Sequence, residues 1–550
     1  MTNREIALRL EETAQLLELK LENTFKIKAY EKGADALRAT DVHVAELIAH
    51  NEPININGIG KGLSESIKSL VQTGSFPELM ALKAEIPVGV VEISAIPGFG
   101  PKKVNQLWKE LNITTLDDLA ESCKSGELIK NKGFSAKLAG ELLVHIAFFN
   151  DSKRKLTLFK AEQLAEQIEQ RLFIANGIFD FQRTGDLRRN MPVVSSWEWV
   201  MTDTYQAMLT EKLPNATIEI IADTQQFSWL EHEKFTCRIY FPQSEQKIYK
   251  LFITSCSDAF LVSFKNDFDK SVASEEEIFK QNNLPIIPAE CRDNQPIQDF
   301  PYEKLIKITD LQGAVHAHST YSDGYHSLEQ MAFACMERGF SYLGITDHSQ
   351  SAGYAFGLKP ERIVKQHEEI DRLNEKIAPF RIFKGIESDI LRDGSLDYEE
   401  SVLQSFDFII ASIHSQLNMN EGEATHRLIQ AIKNPYTTIL GHPTGRLLLK
   451  RDGYPIDYQA VIQACADYQV AIELNGNPYR MDLDWSWIKY ATDLGVKFFI
   501  TSDAHSKSDL DYHLTAIKVA RKGLLLPEQV LNCLSAEELA DYFQQKRPKI

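Results

Sequence analysis

The chain lacks any long hydrophobic run: no stretch approaches the ~18 apolar residues of a membrane span, and the N-terminus has no signal-like apolar segment. The expectation is a cytoplasmic protein with no membrane partner. Its seven cysteines (123, 237, 256, 291, 335, 465 and 533) are scattered, with no CxxC pair. That argues against a disulfide framework and a thiolate zinc site, and it suits a reducing compartment. Low-complexity tracts are missing. So is basic excess: net charge is −17, and the stretches 1–150, 151–310 and 311–550 are each net acidic. Any contact with nucleic acid must then come from local patches and backbone amides rather than from a basic field. At 550 residues the chain is too long for one core, so three or four domains are expected.

What is present is concentrated in residues 311–550. Seven short apolar runs there each end on a histidine, a carboxylate or an asparagine. Gly313–Val315 leads into His316-Ala317-His318, Tyr342–Thr346 into Asp347-His348, and Phe380–Ile386 into Glu387. Phe406–Ile413 leads into His414, Thr438–Gly441 into His442, Val470–Leu474 into Asn475, and Lys497–Ser502 into Asp503-Ala504-His505. Apolar runs of this length between helical segments read as buried parallel strands. In a barrel of such strands the C-terminal ends open on one face, where chemistry collects.

Ten of the 14 histidines lie in residues 311–550. His316, His318, His348, His414, His442 and His505 sit at predicted strand ends, whereas His326, His367, His426 and His513 fall in helix-like segments. One such histidine is most often structural. Six at equivalent positions, joined by Asp323, Glu387 and Asp503, point to metal ions. Nine nitrogen and oxygen ligands without thiolate are too many for one ion. They fit two or three divalent ions, with Glu387 bridging: Zn, Mn or Fe, Mn favoured for activity. Such clusters activate water and clamp the oxygens of a displacement at phosphorus, so hydrolysis of a phosphate ester is the expected reaction. Arg446 and Arg480 are candidate phosphate clamps, because guanidinium pairs with phosphate through two parallel hydrogen bonds.

The stretches His316-Ala317-His318, Ser322-Asp323-Gly324, Thr346-Asp347-His348, Gly385–Leu391, His442–Arg446 and Ser502–His505 resemble the PHP (polymerase and histidinol phosphatase) superfamily. The resemblance implies a distorted (β/α)7 barrel with a trinuclear centre. Carried over by position, one metal takes His316, His318, Glu387 and Asp503. A second shares Glu387 and takes His414 and His442; a third takes Asp323, His348 and His505. Glu387 and Asp503, with Arg446, are the expected catalytic groups.

The first 150 residues read as helical, beginning with a helix over Asn3 to Glu22. Two loops repeat one pattern: Ile56-Asn57-Gly58-Ile59-Gly60-Lys61-Gly62 and Ile96-Pro97-Gly98-Phe99-Gly100-Pro101-Lys102-Lys103, each opening a helix. A weaker copy lies at Lys132–Lys137. A glycine turn before a helix points backbone N–H groups at one spot and binds a phosphate without net positive charge. These are helix-hairpin-helix signals, so Gly58, Gly60, Lys61, Gly98, Gly100, Lys102 and Lys103 are expected to contact DNA backbone regardless of sequence. Residues 151–300 mix helix (Lys153 to Ile174) and strand (216–222 and 235–241), and Pro285 to Pro301 looks like a linker.

With Asn23–Tyr30, the hairpin pair and the C-terminal PHP stretches in this order, the whole chain resembles bacterial family X DNA polymerase, PolX. The implied architecture is multidomain, α and α/β. An N-terminal helical region with the first hairpin spans 1–80, and a fingers-like helical domain with the second spans 81–150. A degenerate α+β nucleotidyltransferase palm with a shortened thumb occupies 151–300, and the PHP barrel 311–550. The family's palm carries a Gly-Ser-x-Arg-Arg-Gly loop, an Asp-x-Asp pair and a third Asp on a later strand. Here the loop is Gly185-Asp186-Leu187-Arg188-Arg189-Asn190, the pair falls on Ser196-Trp197-Glu198, and the third Asp falls near Thr236 or Cys237. The thumb's Thr-Gly-Ser motif is at best Ile253-Thr254-Ser255, and the lyase lysine of polymerase-beta-like relatives falls on Ser66. One carboxylate does not hold two Mg²⁺ ions, so the polymerase centre is expected to be inactive.

The reading that follows is a metal-dependent DNA phosphoesterase of base-excision repair: a 3′–5′ exonuclease, 3′-phosphatase or abasic-site nuclease acting on gapped, nicked or 3′ ends. Its rivals are an active gap-filling polymerase with an exonuclease, a small-molecule phosphatase of the histidinol-phosphate type, and a DNA-binding scaffold with a structural metal cluster.

Overall fold

The computed structural model describes all residues except 41, 97–98, 208–217, 222–223, 229–235, 265–269 and 548–550. The chain divides into two units, Met1–Ser152 and Lys153–Ile550.

Among its described residues the first unit is helical throughout. It opens with Asn3–Leu19, closed at its start by a Thr2/Glu5 capping box. Its core gathers one apolar face from each helix, including Ile6, Leu10 and Leu17 of the first and Ile67 and Leu70 of Lys61–Thr73. The first glycine loop joins Val44–Ala49 to Lys61–Thr73. Gly58 has φ +95°, a left-handed conformation that a side chain would strain. Gly60 is the N-cap of the helix that follows. In the second loop Gly100 caps Pro101–Lys109 in the same way. Gly98 lies outside the described residues. The weaker third copy shares the geometry: Gly133 has φ +97°, and Phe134 packs on Phe99 with ring centroids 6.3 Å apart.

The second unit holds two sheets and a short ribbon. Leu156–Thr157 (β1) pairs antiparallel with Val193–Val194 (β3), so the helix expected from Lys153 begins only at Leu158. A five-stranded sheet has the order β2-β4-β7-β6-β5. Its strands are Phe181–Thr184 (β2), Ser196–Met201 (β4), Ile218–Ile221 (β5), Thr224–Ser228 (β6) and Thr236–Tyr240 (β7). Residues 285–301, suggested by composition as a linker, are instead packed. Ile287, Cys291 and Arg292 are buried in the cluster of Phe252, Phe260 and Phe279. Proline and asparagine keep the segment irregular without keeping it out of the core.

The other sheet has seven parallel strands in sequential order, β8 to β14. They are Gly313–Ala317 (β8), Tyr342–Ile345 (β9), Arg381–Asp389 (β10), Phe408–Ser412 (β11), Ile439–Leu440 (β12), Ala471–Asn475 (β13) and Phe498–Thr501 (β14). All seven apolar runs are strands. A bridge between Ala317 and Ala504 brings the first strand beside the last and nearly closes a barrel. Side chains alternate across each strand. One set (Val315, Tyr342, Phe383, Phe408, Ile410, Ile439, Ala471, Phe499) clusters with Leu539 and Phe543 of the C-terminal helix Ala536–Lys546. The other set packs on the surrounding helices. A Cβ on Gly385 would lie 2.5 Å from the Phe408 ring, so its absence lets that ring fill the interior. Continued two residues at a time, the first set runs through Glu387 and Asp389 on β10 and through Glu473 and Asn475 on β13.

The two sheets are tied by the helix His513–Lys522. Lys522 is buried and donates to the Arg189 and Glu290 carbonyls and to Asp293. Arg521 pairs with Glu290 at 2.8 Å and Lys518 with Glu162.

Candidate metal centre

Glu387 stands among five imidazoles. Its Oε1 lies 2.9 Å from His442 Nε2, 3.2 Å from His414 Nε2 and 3.4 Å from His316 Nε2. Its Oε2 lies 2.9 Å from His348 Nδ1 and 3.7 Å from His318 Nε2. Asp503 Oδ1 approaches His318 Nε2 at 3.3 Å and His316 Nε2 at 3.4 Å. Asp323 Oδ1 lies 3.5 Å from His505 Nε2, 3.6 Å from His348 Nε2 and 3.9 Å from His318 Nδ1. All nine residues expected from the sequence are therefore brought together. Three overlapping groups are close enough to hold an ion: His318, Asp323, His348 and His505; His316, His318 and Asp503; and His348, Glu387 and His414.

The backbone turns sharply to present them. His316, His442 and Asp503 have φ of 64°, 22° and 51°, the left-handed region where non-glycine residues are uncommon. The three lie at the ends of β8, β12 and β14, so strain is concentrated where the strands meet the centre.

A ring of outer carboxylates fixes the imidazoles. Glu473 accepts from His316 Nδ1, from Thr501 Oγ1 at 2.7 Å and from the His442 backbone N–H at 2.5 Å. Asp389 Oδ1 meets His414 Nδ1 at 2.7 Å. Each leaves the opposite ring nitrogen of its histidine aimed at Glu387. This arrangement orients a metal ligand and raises its basicity. Asp347 collects Ser319, Ser322 and Gln366, which holds the 319–323 loop that carries Asp323. Glu473, Asp389 and Asp347 were not singled out as site residues from the sequence. Strand alternation was the signal for the first two, since Asp389 lies two residues from Glu387 and Glu473 two residues from Asn475, the polar end of its run.

Electrostatics agree with a cation site. Burial would depress the His316 imidazole, yet Glu473, Asp503 and Glu387 raise it well above its ordinary value. Burial likewise opposes the rise of His414 to about 10, which Glu387 and Asp389 impose. His318 goes the other way, to about 3, through burial and the neighbouring His505 and His348. The carboxylates thus call for positive charge that the imidazoles must supply by protonation. Meanwhile His316 Nε2, both nitrogens of His318, His348 Nδ1 and Glu387 Oε2 are buried without a hydrogen-bond partner. Buried polar atoms are rarely left so, and this many converging on one point fit divalent ions.

The two arginines differ. Arg446 spends its guanidinium on Asp484 at 2.8 Å and on the carbonyls of Arg480 and Met481. Arg480 donates only Nε, to Asp503 at 3.2 Å. Of the four other histidines, His367, His426 and His513 lie on helices. His326 does not: the Ser327/Gln330 capping box starts the helix at Leu328 and leaves His326 in the preceding loop.

The second sheet has its own buried carboxylate. Glu198 accepts from Ser196 Oγ at 2.5 Å, Tyr240 OH at 2.9 Å and Arg238 Nη1 at 3.1 Å. The parallel register pairs Ser196 with Thr236 and Glu198 with Arg238, so an arginine stands beside the one acid. A Cβ on Gly185 would lie 2.9 Å from the Glu198 carboxyl carbon. Arg188 donates to Glu275 through both amino groups, at 2.7 and 3.0 Å, and to Ser255 Oγ at 2.9 Å. Arg292 takes the same two oxygens of Glu275. Asp186 is engaged by Arg189 and by the Ser195 N–H.

In the first unit Gly58, Gly60 and Lys61 are exposed, as are Gly100 and Lys102, with Lys103 half-buried over the Phe99 ring.

Comparison with known proteins matches three family models: a helix-hairpin-helix domain over residues 1–76, a SAM-like helix-hairpin-helix tandem over 92–147 and a PHP domain over 314–477. A probable phosphatase of Thermoanaerobacter sp. (strain X514) is 31% identical over 247 residues, 43% of this chain and 95% of that protein. One from Aliivibrio fischeri (strain MJ11) is 29% identical over 36% of this chain and 80% of its own length. The DNA polymerase/3′-5′ exonuclease PolX of Bacillus subtilis (strain 168) is 34% identical over 99% of this chain and 100% of its own length. With hairpin models, PHP model and a full-length relative in one order, this chain belongs to the PolX family, the bacterial family X DNA polymerases with a C-terminal PHP domain.

Proposed function

We propose that the chain is a metal-dependent DNA phosphoesterase that trims 3′ ends, a 3′–5′ exonuclease of base-excision repair, and that its palm does not transfer nucleotides. The observation that carries the first half is the convergence of nine ligand groups around Glu387 and Asp503, with buried nitrogens of His316, His318 and His348 and Glu387 Oε2 left without a hydrogen-bond partner. His316, His318, Glu387 and Asp503 would hold one ion. Glu387, His414 and His442 would hold a second, and Asp323, His348 and His505 a third. Mn²⁺ is favoured for activity, with Zn and Fe also compatible with this donor set. Ions so held would polarise the phosphodiester and lower the pKa of the attacking water. The protein's own share is orientation: Glu473 and Asp389 fix the tautomers of His316 and His414. Arg480 keeps two amino groups for a phosphate oxygen, while Arg446 holds the loop that carries Arg480.

DNA as substrate is supported by the exposed glycine loops of residues 1–80 and 81–150, which suit sequence-independent contact with gapped, nicked or 3′-ended DNA. The phosphatase relative from Thermoanaerobacter corresponds to under half of this chain, and a small-molecule enzyme has no use for the hairpins. Within 151–300 every charged group of the expected nucleotide site is already paired. Ser196 and Thr236 or Cys237 stand where further metal carboxylates would be needed, Arg238 takes up Glu198 beside them, and Glu275 occupies the arginine that would meet a triphosphate.

The test is a denaturing gel of 5′-labelled gapped DNA with Mn²⁺, with and without deoxynucleotides. A ladder of shortened products, abolished by His316→Ala, is expected in both lanes. Extension across the gap would overturn the reading of the palm, and no shortening would overturn that of the barrel.

A further inference from the structure

The loop between β9 and the helix Pro360–Ile377 presents two large aromatic side chains to solvent, one of them, Tyr354, beside the metal centre. Tyr354 is 68% exposed and Phe356 69%, while Ala352, Ala355 and Leu358 around them are buried. The Tyr354 ring lies 6.2 Å from that of His348, centroid to centroid.

The loop is built rather than loose. Ser351 Oγ donates at 2.8 Å to Asp389, the carboxylate that also fixes His414. Ser351 N–H binds Asp397 at 2.6 Å, and Gln350 bonds both Tyr398 OH and the Asp397 carbonyl. The Leu358 N–H returns to the His348 carbonyl at 2.8 Å, and Arg362 holds the Phe356 carbonyl at 2.7 Å. A Cβ on Gly357 would lie 1.9 Å from the Ser349 carbonyl oxygen. Phe356 itself has φ +56°, a conformation rarely adopted by a bulky side chain. An anchored, strained loop that spends its order on exposing two rings is a sign of function rather than of folding.

Resting on the reading of the barrel as a DNA phosphoesterase, we infer that Tyr354 and Phe356 form a stacking platform for the bases at the single-stranded 3′ end of DNA entering the metal centre. Every base has a π-face, so stacking on aromatic side chains grips a strand without reading its sequence. That matches an enzyme whose glycine loops are also indifferent to sequence. The platform supplies what the ligand cluster does not, a preference for a polynucleotide end over a bare phosphate ester. Arg480, bound to Asp503, would meet the backbone beside the ions.

Two 5′-labelled single strands separate the possibilities: one intact, and one whose three 3′-terminal residues are abasic tetrahydrofurans. On the intact strand Tyr354→Ala/Phe356→Ala should lower kcat/KM by about 5- to 150-fold per base released, mainly through KM. Tyr354→Phe should retain most activity. On the abasic strand, with no bases to stack, the loss should shrink to within about twofold. In chelator, without turnover, a 3′-terminal 2-aminopurine should be quenched by the wild type and by Tyr354→Phe but not by the double variant. Equal losses on both strands, an unaffected double variant or identical quenching would overturn the platform. A wild type that shortens neither strand would sink the phosphoesterase reading and this inference with it. Both side chains are exposed, and matched melting curves show whether the variants are folded.

Discussion

Two buried carboxylates, Glu387 and Glu198, sit on strands of the same unit, 1% and 8% exposed. Their surroundings are opposite in kind. Glu387 faces imidazole nitrogens, several with no partner, and shares two of them, His316 and His318, with another acceptor, Asp503. Glu198 faces donors: a serine hydroxyl, a tyrosine hydroxyl and a guanidinium. A site built for cations gathers acceptors that repel one another until an ion arrives. The site around Glu198 is completed from within by donors. The difference lies in the neighbours, since the acid itself is present in both places.

The largest test of this contrast is Glu387→Gln. It removes a carboxylate oxygen from the group that five imidazoles surround, so end trimming should fall by at least about 100-fold, more than an outer carboxylate costs. Bound metal, measured by plasma mass spectrometry, should fall with it. Chelation should lower the melting midpoint of the wild type, because ions that bind only the folded state stabilise it. Metal-independent activity in the variant would break the comparison.

Glu275→Gln probes the other side. It leaves Arg292, 3% exposed at its side chain, without its charge partner, and breaking a buried pair costs about 3–5 kcal/mol. Burial alone would raise the Glu275 carboxyl; hydrogen bonds from Arg292 and Arg188 overcome it and bring it to about 2 from 4.5. A depressed carboxyl stabilises the fold above its unfolded value and loses that contribution as pH falls through its folded value. The gap in urea stability between wild type and variant should therefore be full above pH 4.5 and close toward pH 2. A gap independent of pH would mean that the ion pair is not what holds this pocket.

Glu473→Gln sharpens the contrast inside the barrel. It keeps the shape but weakens the hold on His316, and loss of an outer partner costs about 10–100-fold in metal affinity or activity. Metal titration followed by end trimming reads it directly.

Much of the barrel was legible in sequence because the same residues announce strand and site. Val315 and His316, or Ile413 and His414, combine an apolar run with a polar terminus, and parallel strands buried on both faces leave little else to read. Glu473 escaped because an acid inside an apolar run looks like an interruption until the inner face is counted in steps of two. The palm was harder. Arg238 lies in a segment whose register against Ser196–Met201 is set by long-range pairing, so the sequence placed the third position near Thr236 or Cys237 without naming the residue beside Glu198. The packing of 285–301 was hidden for a related reason: Arg292 is held in the core by Glu275, seventeen residues away, and by the rings of Phe252 and Phe279.

Glu198→Gln should have the smallest effect, and for that reason it tests the comparison most directly. If Glu198 serves only its neighbours, the amide still accepts from Ser196 and Tyr240 and gives up only its charge. Arg238 is 41% exposed at its side chain, and pairs of that exposure contribute about 0–1 kcal/mol. The melting midpoint should drop by no more than about two degrees. Trimming of gapped DNA in Mn²⁺ should be unchanged, because no contact of Glu198 reaches the barrel's ligands. If Glu198 were instead a metal-binding acid of a working palm, the same substitution would abolish gap filling while leaving stability almost untouched. A wild type that fills gaps and a variant that does not would show that Arg238 swings away from Glu198 when nucleotide and metal arrive.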